Sequence, residues 1–285
     1  MSSRWGQLRP SQQHTRDHTG GATFDRPPGA KSGCHSQIPD GGRLDRRLLV
    51  PDSPHALDEG TPLAGVTLSL LTAAGRIRAD QRSTARSLWA QAGVDCDQLM
   101  GGLTVLGVHP RGWQLPPAAT CTLPPRELAC PEWPTAPHPD AWVFITENPS
   151  VLAAAADMVA RNPDCANPIR LVCTMGNPSQ TEIAAIAGLA AARWNIAVRA
   201  DFDPAGIRTV TAILNAVPTA KPWRMTATDY ATSGPTAPIR ELVPPTPWEP
   251  ELAEQISATG CVAFEEALME HLLDDLRRGA PPTAS

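Results

Sequence analysis

The sequence predicts an α/β fold in which a parallel sheet is flanked by helices, with a smaller N-terminal α/β module and a disordered leader ahead of it. Three observations predict it. Short, continuous apolar runs recur at 142–146 (WVFIT), 170–174 (RLVCT) and 196–200 (IAVRA). They do not alternate with polar residues, which marks strands buried on both faces. Each is followed by a turn or a helix-starting residue and then a helical pattern, the spacing of right-handed βαβ units.

Taken in order, residues 1–52 mix Ser, Gln, His, Gly, Pro and Arg without an apolar period. Such a composition buries too little surface to order itself, and a misplaced start or a truncated gene is the alternative account. A small module follows over 53–114. Leu63, Val66, Leu68, Leu70 and Leu71 give one apolar helix, and 83–92 (STARSLWAQA) a second, capped by Ser83 or Thr84 and ended by Gly93. Asp95-Cys96-Asp97 reads as a turn and 103–108 (LTVLGV) as a short strand. Prolines and glycines crowd the first 55 residues, 110–139 and 235–250, so 115–139 reads as a Pro-rich linker.

The main domain then spans 140–278, with a tail over 279–285. Pro149 opens the helix after the first strand at its N1 position. The second strand leads through the Gly176 turn to a helix over 179–193, and the third through Asp201-Phe202-Asp203 to a helix over 206–214. Ligands of such sheets bind beyond the carboxyl ends of the strands.

Composition narrows the function classes. The 285 residues are 42% hydrophobic, enough for one large domain or two small ones. Nothing approaches the roughly 18 to 20 apolar residues of a membrane span, and the N-terminus lacks the apolar core of a secretory signal, so a cytoplasmic protein is expected. The 7 cysteines are scattered and form no C-x-x-C pair, which argues for free thiols against a disulfide framework or structural zinc. A net charge of −5 is unusual for a chain that holds DNA alone. Phosphate contact then leans on bound metal, a local arginine patch or a partner. Nearly all of the positive charge is Arg, which suits phosphate forks and equally matches a GC-biased genome.

Each strand of the main domain ends in functional residue types: Glu147-Asn148, then Thr174 to Asn177, then Asp201 and Asp203. Alternation along an extended chain puts Asp201 and Asp203 on one side, about 6 to 7 Å apart. Glu147 joins them if the first and third strands are neighbours. Three carboxylates without a compensating Lys repel one another unless a cation lies between them, and hard oxygen donors suit Mg²⁺, with Mn²⁺ as the alternative. The bland readings stand beside this: Asp203 before Pro204 as a helix cap, and Glu147 as a first-turn carboxylate on a helix dipole. Asn148, Gly176 and Arg208 complete a candidate substrate-binding set, Arg208 being equally a plain surface arginine. Glu265 and Glu266 start an amphipathic helix and read either as dipole partners or as further acidic ligands. Asp58, with His55, reads as a turn or as a contribution from the N-terminal module.

A glutamate after the first strand, a Gly turn after the second and D-x-D after the third resemble the Toprim domain of topoisomerases, primases and certain nucleases. The segments ITENPSVL (145–152), LVCTMGNPS (171–179), DFDPAGIR (201–208), PWRM-x-x-x-DY (222–230) and FEEAL (264–268) are more specific. Together with HALDEGTPL (55–63) and LWAQAGVDCDQL (88–99), they resemble the JetD-like nuclease subunit of Wadjet anti-plasmid systems, over about residues 53 to 278. The resemblance implies a DNA-cutting partner of an SMC-like coiled-coil ATPase complex, with Glu147, Asp201 and Asp203 as metal ligands. Residues 1–52 do not resemble the DNA-binding and dimerising region that the family carries there, so DNA capture is expected to fall on partners and a homodimer stays an open expectation.

The resemblance also reaches the topoisomerase VI A subunit, which cuts through a tyrosine ester from a domain preceding Toprim. The single tyrosine here, Tyr230, follows the D-x-D, so hydrolysis is expected. A haloacid-dehalogenase-like phosphatase requires D-x-D-x-T after its first strand, and a receiver domain an acidic pair there; neither pattern is met. The remaining rival is a catalytically silent subunit whose Toprim fold serves as a docking surface.

Overall fold

A computed structural model describes residues 44–45, 49–50, 53, 55–58, 60–77, 85–92, 94–95, 99, 101–162 and 168–282. In the N-terminal part, strand β1 (Leu44–Asp45) pairs in parallel with β2 (Val94–Asp95), and helices α1 (Pro62–Ala73) and α2 (Ala85–Gln91) lie between them in sequence. Leu57, Ala64, Trp89 and Val94 form a small core of their own. Thr61 caps α1 by accepting the amide of Ala64, and Pro62 follows at the start of the helix. The expected caps Ser83 and Thr84, the stop at Gly93, and residues 1–43 of the expected leader lie outside the described residues.

The main sheet has six strands. Those not yet introduced are β3 (Leu103–Leu106), β4 (Thr120–Leu123), β5 (Trp142–Thr146), β6 (Leu171–Cys173), β7 (Asn195–Val198) and β8 (Lys221–Pro222), and their spatial order is β4-β3-β6-β5-β7-β8. The β6-β5-β7-β8 neighbours are parallel, and β3 runs antiparallel to both β4 and β6. Connecting helices are α3 (Pro125–Leu128), α4 (Pro149–Arg161), α5 (Gln180–Ala191) and α6 (Pro204–Ala216). The chain steps from β5 to β6 in one direction and from β6 back past β5 to β7 in the other. With right-handed crossovers, α4 covers one face and α5 and α6 the other. Packing agrees: α5 meets α6 and α3, and α4 meets the last helix, α9 (Met269–Arg278). The remaining elements are α7 (Ala227–Thr232), α8 (Pro250–Thr259), the antiparallel pair β9 (Ala237–Pro238) and β10 (Cys261–Val262), and a 3-10 turn at Glu265–Leu268.

The continuous apolar run of β5 is explained by its place between β6 and β7, where Val143, Phe144 and Ile145 are almost wholly buried. Reversal of chain direction on either side of β5 makes the gap between β5 and β7 a topological switch point, where α/β sheets open a crevice at their carboxyl edge.

Several boundaries differ from the sequence expectation. The expected linker over 115–139 is corrected: it contains β4 and α3, and Leu123, Leu128 and Trp133 are in the main core. Its prolines do not break structure. Pro124 and Pro125 sit at the cap and first turn of α3, where a missing amide costs nothing. The strand expected within the N-terminal module is β3, which belongs to the main sheet. At its end, Gly107 has φ 69 and stands where a Cβ would lie 1.9 Å from the carbonyl oxygen of Ile169, so only glycine lets the chain pass so close to the approach to β6. Asp95 is part of β2, not a turn, while Cys96 and Asp97 lie outside the described residues. Leu44 and Asp45, placed in the leader by composition, pair with β2. Among the described residues Cys121, Cys130, Cys173 and Cys261 are free thiols, and no helix is long and apolar enough to cross a membrane.

Candidate functional site

The carboxylates at the switch point are positioned from three directions. Glu147 follows directly on β5 and is half-buried. Because Ile145 of β5 pairs with Val198 of β7, the end of β5 lies beside the turn that carries Asp201 and Asp203, as the sequence reading requires. Phe202, wholly buried between the two aspartates, forms an antiparallel bridge with Ala263. That bridge brings the C-terminal segment across the strand end, and the amide of Glu265 donates to Asp201 Oδ1 at 2.7 Å. Asp203 caps α6: its Oδ1 accepts the amide of Gly206 at 2.6 Å, with Pro204 in the first turn. The cap reading of Asp203 therefore holds, and it leaves the second oxygen outside the cap bond. Gly206 is required by proximity, since a Cβ there would meet the Asp201 carbonyl oxygen at 2.2 Å.

Electrostatics single out this group. Burial raises the Glu147 carboxyl to a pKa of about 7, with further upward pushes from the charges of Asp201, Asp203 and Glu265 and a partial offset from the Asp201 amide. Burial likewise raises Asp201 to about 6, opposed by the hydrogen bond from the Glu265 amide and reinforced by the charges of Glu265, Asp203 and Glu266. Glu147 Oε2 is buried and accepts no hydrogen bond. An orphaned carboxylate oxygen is expensive, and a hard cation is the chemistry that compensates it. The orphaned Glu147 oxygen, in the field of Asp201 and Asp203, is of the donor type that a divalent ion takes. Among the described residues no three His, Cys, Asp or Glu side chains are gathered closely enough to hold a metal ion; an ion that takes one or two carboxylates and keeps several of its own waters asks for less than that.

Glu265 does something the sequence did not anticipate. It is wholly buried, not a solvated dipole partner, and both of its oxygens are used. Thr146 Oγ1 donates to them at 2.9 Å, the Asn148 amide donates at 2.7 Å, and Arg199 Nε donates at 2.7 Å. One carboxylate thereby ties the end of β5 to the end of β7. Arg199, also wholly buried, was read from the sequence only as part of a strand. The available signal was the arginine itself: a cation in an otherwise apolar strand has to be paired. Its Nη1 and Nη2 have no hydrogen-bond partner, and its guanidinium lies 5.9 Å from the Phe202 ring and 6.0 Å from the Trp223 ring.

The other candidates divide. Asn148 is brought to the centre but is fully engaged: Oδ1 caps α4 through the Ser150 amide, and Nδ2 donates to Glu266 Oε1 at 2.7 Å. Glu266 is exposed beside it. Gly176 has φ 106 in the turn after β6, and that turn is attached to α6 by Thr209 donating to Asn177 Oδ1 at 3.2 Å. Cys173, at the end of β6, donates to the Glu147 carbonyl at 3.3 Å, and burial lifts its thiol to about 12, so it stays protonated and unreactive. Arg208, in α6, is paired with Glu241 at 3.4 Å. Asp58 pairs with His55 at 2.8 Å in the turn before α1, beside the small N-terminal core.

The PWRM-x-x-x-DY segment builds the wall behind the centre. Trp223 packs edge-on against Phe144 and donates to Asp275 at 2.9 Å, while Arg224 makes a two-pronged pair with the same carboxylate. Asp229 and Thr226 form a capping box on α7. Tyr230 is wholly buried, and its hydroxyl bonds to Thr259 and to the Cys261 carbonyl.

Fold and site together define an α/β protein with an acidic centre at the switch point of a mostly parallel sheet. Residues 121–276 match the family described as "Protein of unknown function C-terminus (DUF2399)", and residues 48–110 match "Protein of unknown function N-terminus (DUF3323)". The chain belongs to the DUF2399 family. No curated protein matches it.

Proposed function

We propose that the chain is the metal-dependent DNA endonuclease subunit of an SMC-like plasmid-defence complex, a Toprim-type nuclease that hydrolyses phosphodiester bonds with Glu147, Asp201 and Asp203. The observation that carries the reading is the buried, unpartnered Oε2 of Glu147 within the field of two aspartates. The sequence resemblance to JetD-like nucleases supports the partner and substrate, and the family matches on both parts of the chain accord with it. Glu147, Asp201 and Asp203 would hold Mg²⁺ or Mn²⁺, which when bound supplies charge neutralisation at the scissile phosphate and a more acidic water. Glu265 and Arg199 position the acidic residues, Asn148 fixes the start of α4, and Arg208 is available to phosphate if Glu241 releases it. Burial of Tyr230 supports hydrolysis over tyrosine-ester chemistry.

The absence, among the described residues, of three such side chains gathered closely enough to hold a metal ion favours a second reading: a catalytically silent docking subunit of the same complex. Supercoiled plasmid incubated with Mg²⁺ or Mn²⁺, with and without the ATPase partners, separates the two. Asp203→Asn keeps a capping side chain and Asp201→Asn keeps an acceptor for the Glu265 amide, so both should fold. Nicking or linearisation by the wild type that drops at least about 100-fold in both variants is expected, the order of loss for removing a charge from a catalytic centre. Cutting that survives both changes sinks the assignment; no cutting under any condition points to the docking subunit.

A further inference from the structure

A second feature opens beside the acidic centre. A cleft of about 370 Å³ is walled by Asn148, Thr236, Ala263, Phe264 and Glu266. It shares a wall with the centre at both ends of its sequence: Asn148 follows Glu147, and Glu266 follows the residue whose amide holds Asp201. Two properties limit what it takes. None of the residues lining it is a cation, so it is not built for a phosphate. Phe264 is a large aromatic left 47% exposed, whereas the nearby rings Phe144, Phe202, Trp223 and Tyr230 are buried completely or nearly so. An aromatic face, small apolar Ala263, the Thr236 hydroxyl and a carboxylate suit a flat heteroaromatic ring with hydrogen-bonding edges. The volume is at the low end for ligand sites, of order 300 Å³, which fits a single ring system.

We propose that this cleft receives one unstacked nucleobase next to the phosphate handled by the acidic centre, with Phe264 as its stacking platform and Glu266 as the reader of its edge. The proposal rests on the DNA-cutting reading and deepens it. Glu266 Oε1 takes Asn148 Nδ2, and its remaining acceptor capacity faces bases that present an amino group. A carboxylate accepts from the N4 amino group of cytosine and repels the O4 acceptor of thymine. The site therefore favours bases with an exocyclic amino group, cytosine, adenine or guanine, over thymine, whose single N3–H lies between two carbonyls, and it requires a strand locally free of its complement, since a paired and stacked base cannot enter.

The experiment measures binding of short dC and dT homopolymers to the full-length protein in Ca²⁺, by fluorescence anisotropy, for the wild type, Phe264→Leu, Phe264→Trp and Glu266→Gln. Loss of one stacking contact weakens binding by about 5- to 150-fold, and this is expected for Phe264→Leu with recovery in Phe264→Trp. The dC strand should bind more tightly than dT, and Glu266→Gln should narrow that ratio. Thermal midpoints within a few degrees of wild type check folding, which the exposure of both side chains favours. Equal binding by Phe264→Leu and wild type, or no binding of either strand by the wild type, overturns the proposal. Plasmid cutting is scored separately: homopolymer binding that depends on Phe264 without any cutting removes the nuclease reading alone, and normal cutting with Phe264-independent binding removes this inference alone.

Discussion

Glu265 and Arg199 are each wholly buried and depend on each other. Removing one charge of such a pair leaves the other stranded, at a cost of about 3–5 kcal/mol. Glu265→Gln keeps acceptors for Thr146 and the Asn148 amide but strands Arg199, so it should lower stability by that order in urea titration. Adding Arg199→Met should recover more than half of the loss; a double variant no more stable than Glu265→Gln would show that the pair is not coupled. These residues mark the limit of what was legible. Glu147, Asp201 and Asp203 stood out because strand ends in a parallel sheet are places for function. Glu265 stood out as an acid but not as a buried one, since the hydrogen bonds that consume it come from residues 119, 117 and 66 positions away. Arg199 was legible only as an anomaly in an apolar strand.

At the scale of elements, the turn from β7 into α6 is held by three short-range devices: the Asp203 cap, Pro204 in the first turn, and the bare Cα of Gly206 against the Asp201 carbonyl. Adding a methyl group there forces α6 away from both aspartates. Gly206→Ala should cost about 1–3 kcal/mol, the usual penalty of overpacking, and should also weaken Mg²⁺-induced stabilisation. An unchanged urea midpoint would mean that the turn yields freely. The βαβ elements were legible because each is a local pattern: β5, β6 and β7 appear as apolar runs, Pro149 as a helix start and Asp203 before Pro204 as a cap, while the Ser179–Glu182 capping box emerges only in the structure. Partner choice was not. The run at 103–108 identified a strand but nothing in it told β3 to join β6 antiparallel, and β4 (TCTL) is too short and too polar to stand out among prolines.

For the whole molecule, the acidic centre sets how stability answers to pH and divalent ions. Glu147 and Asp201 have pKa values raised from 4.5 to about 7 and from 3.8 to about 6. The folded protein therefore holds protons that the unfolded chain has released, and these groups make stability fall as pH rises between about 4 and 7. Thermal midpoints without metal should fall over that window more steeply for wild type than for Glu147→Gln. Mg²⁺ displaces those protons, so its stabilisation should grow from pH 5.5 to 8; a metal effect independent of pH would argue that the ion does not bind at Glu147. Sequence patterning anticipated the sheet and its working edge, while the closing of that edge by the C-terminal segment depends on contacts no local pattern records. The closing has an outcome during synthesis. Asp201 is held by the amide of Glu265, 64 residues later, and Thr146 by the Glu265 carboxylate, 119 residues later. Such distant contacts form late. A chain still on the ribosome lacks the assembled centre until Glu265 has emerged, because neither the amide that holds Asp201 nor the carboxylate that takes Thr146 is present before then.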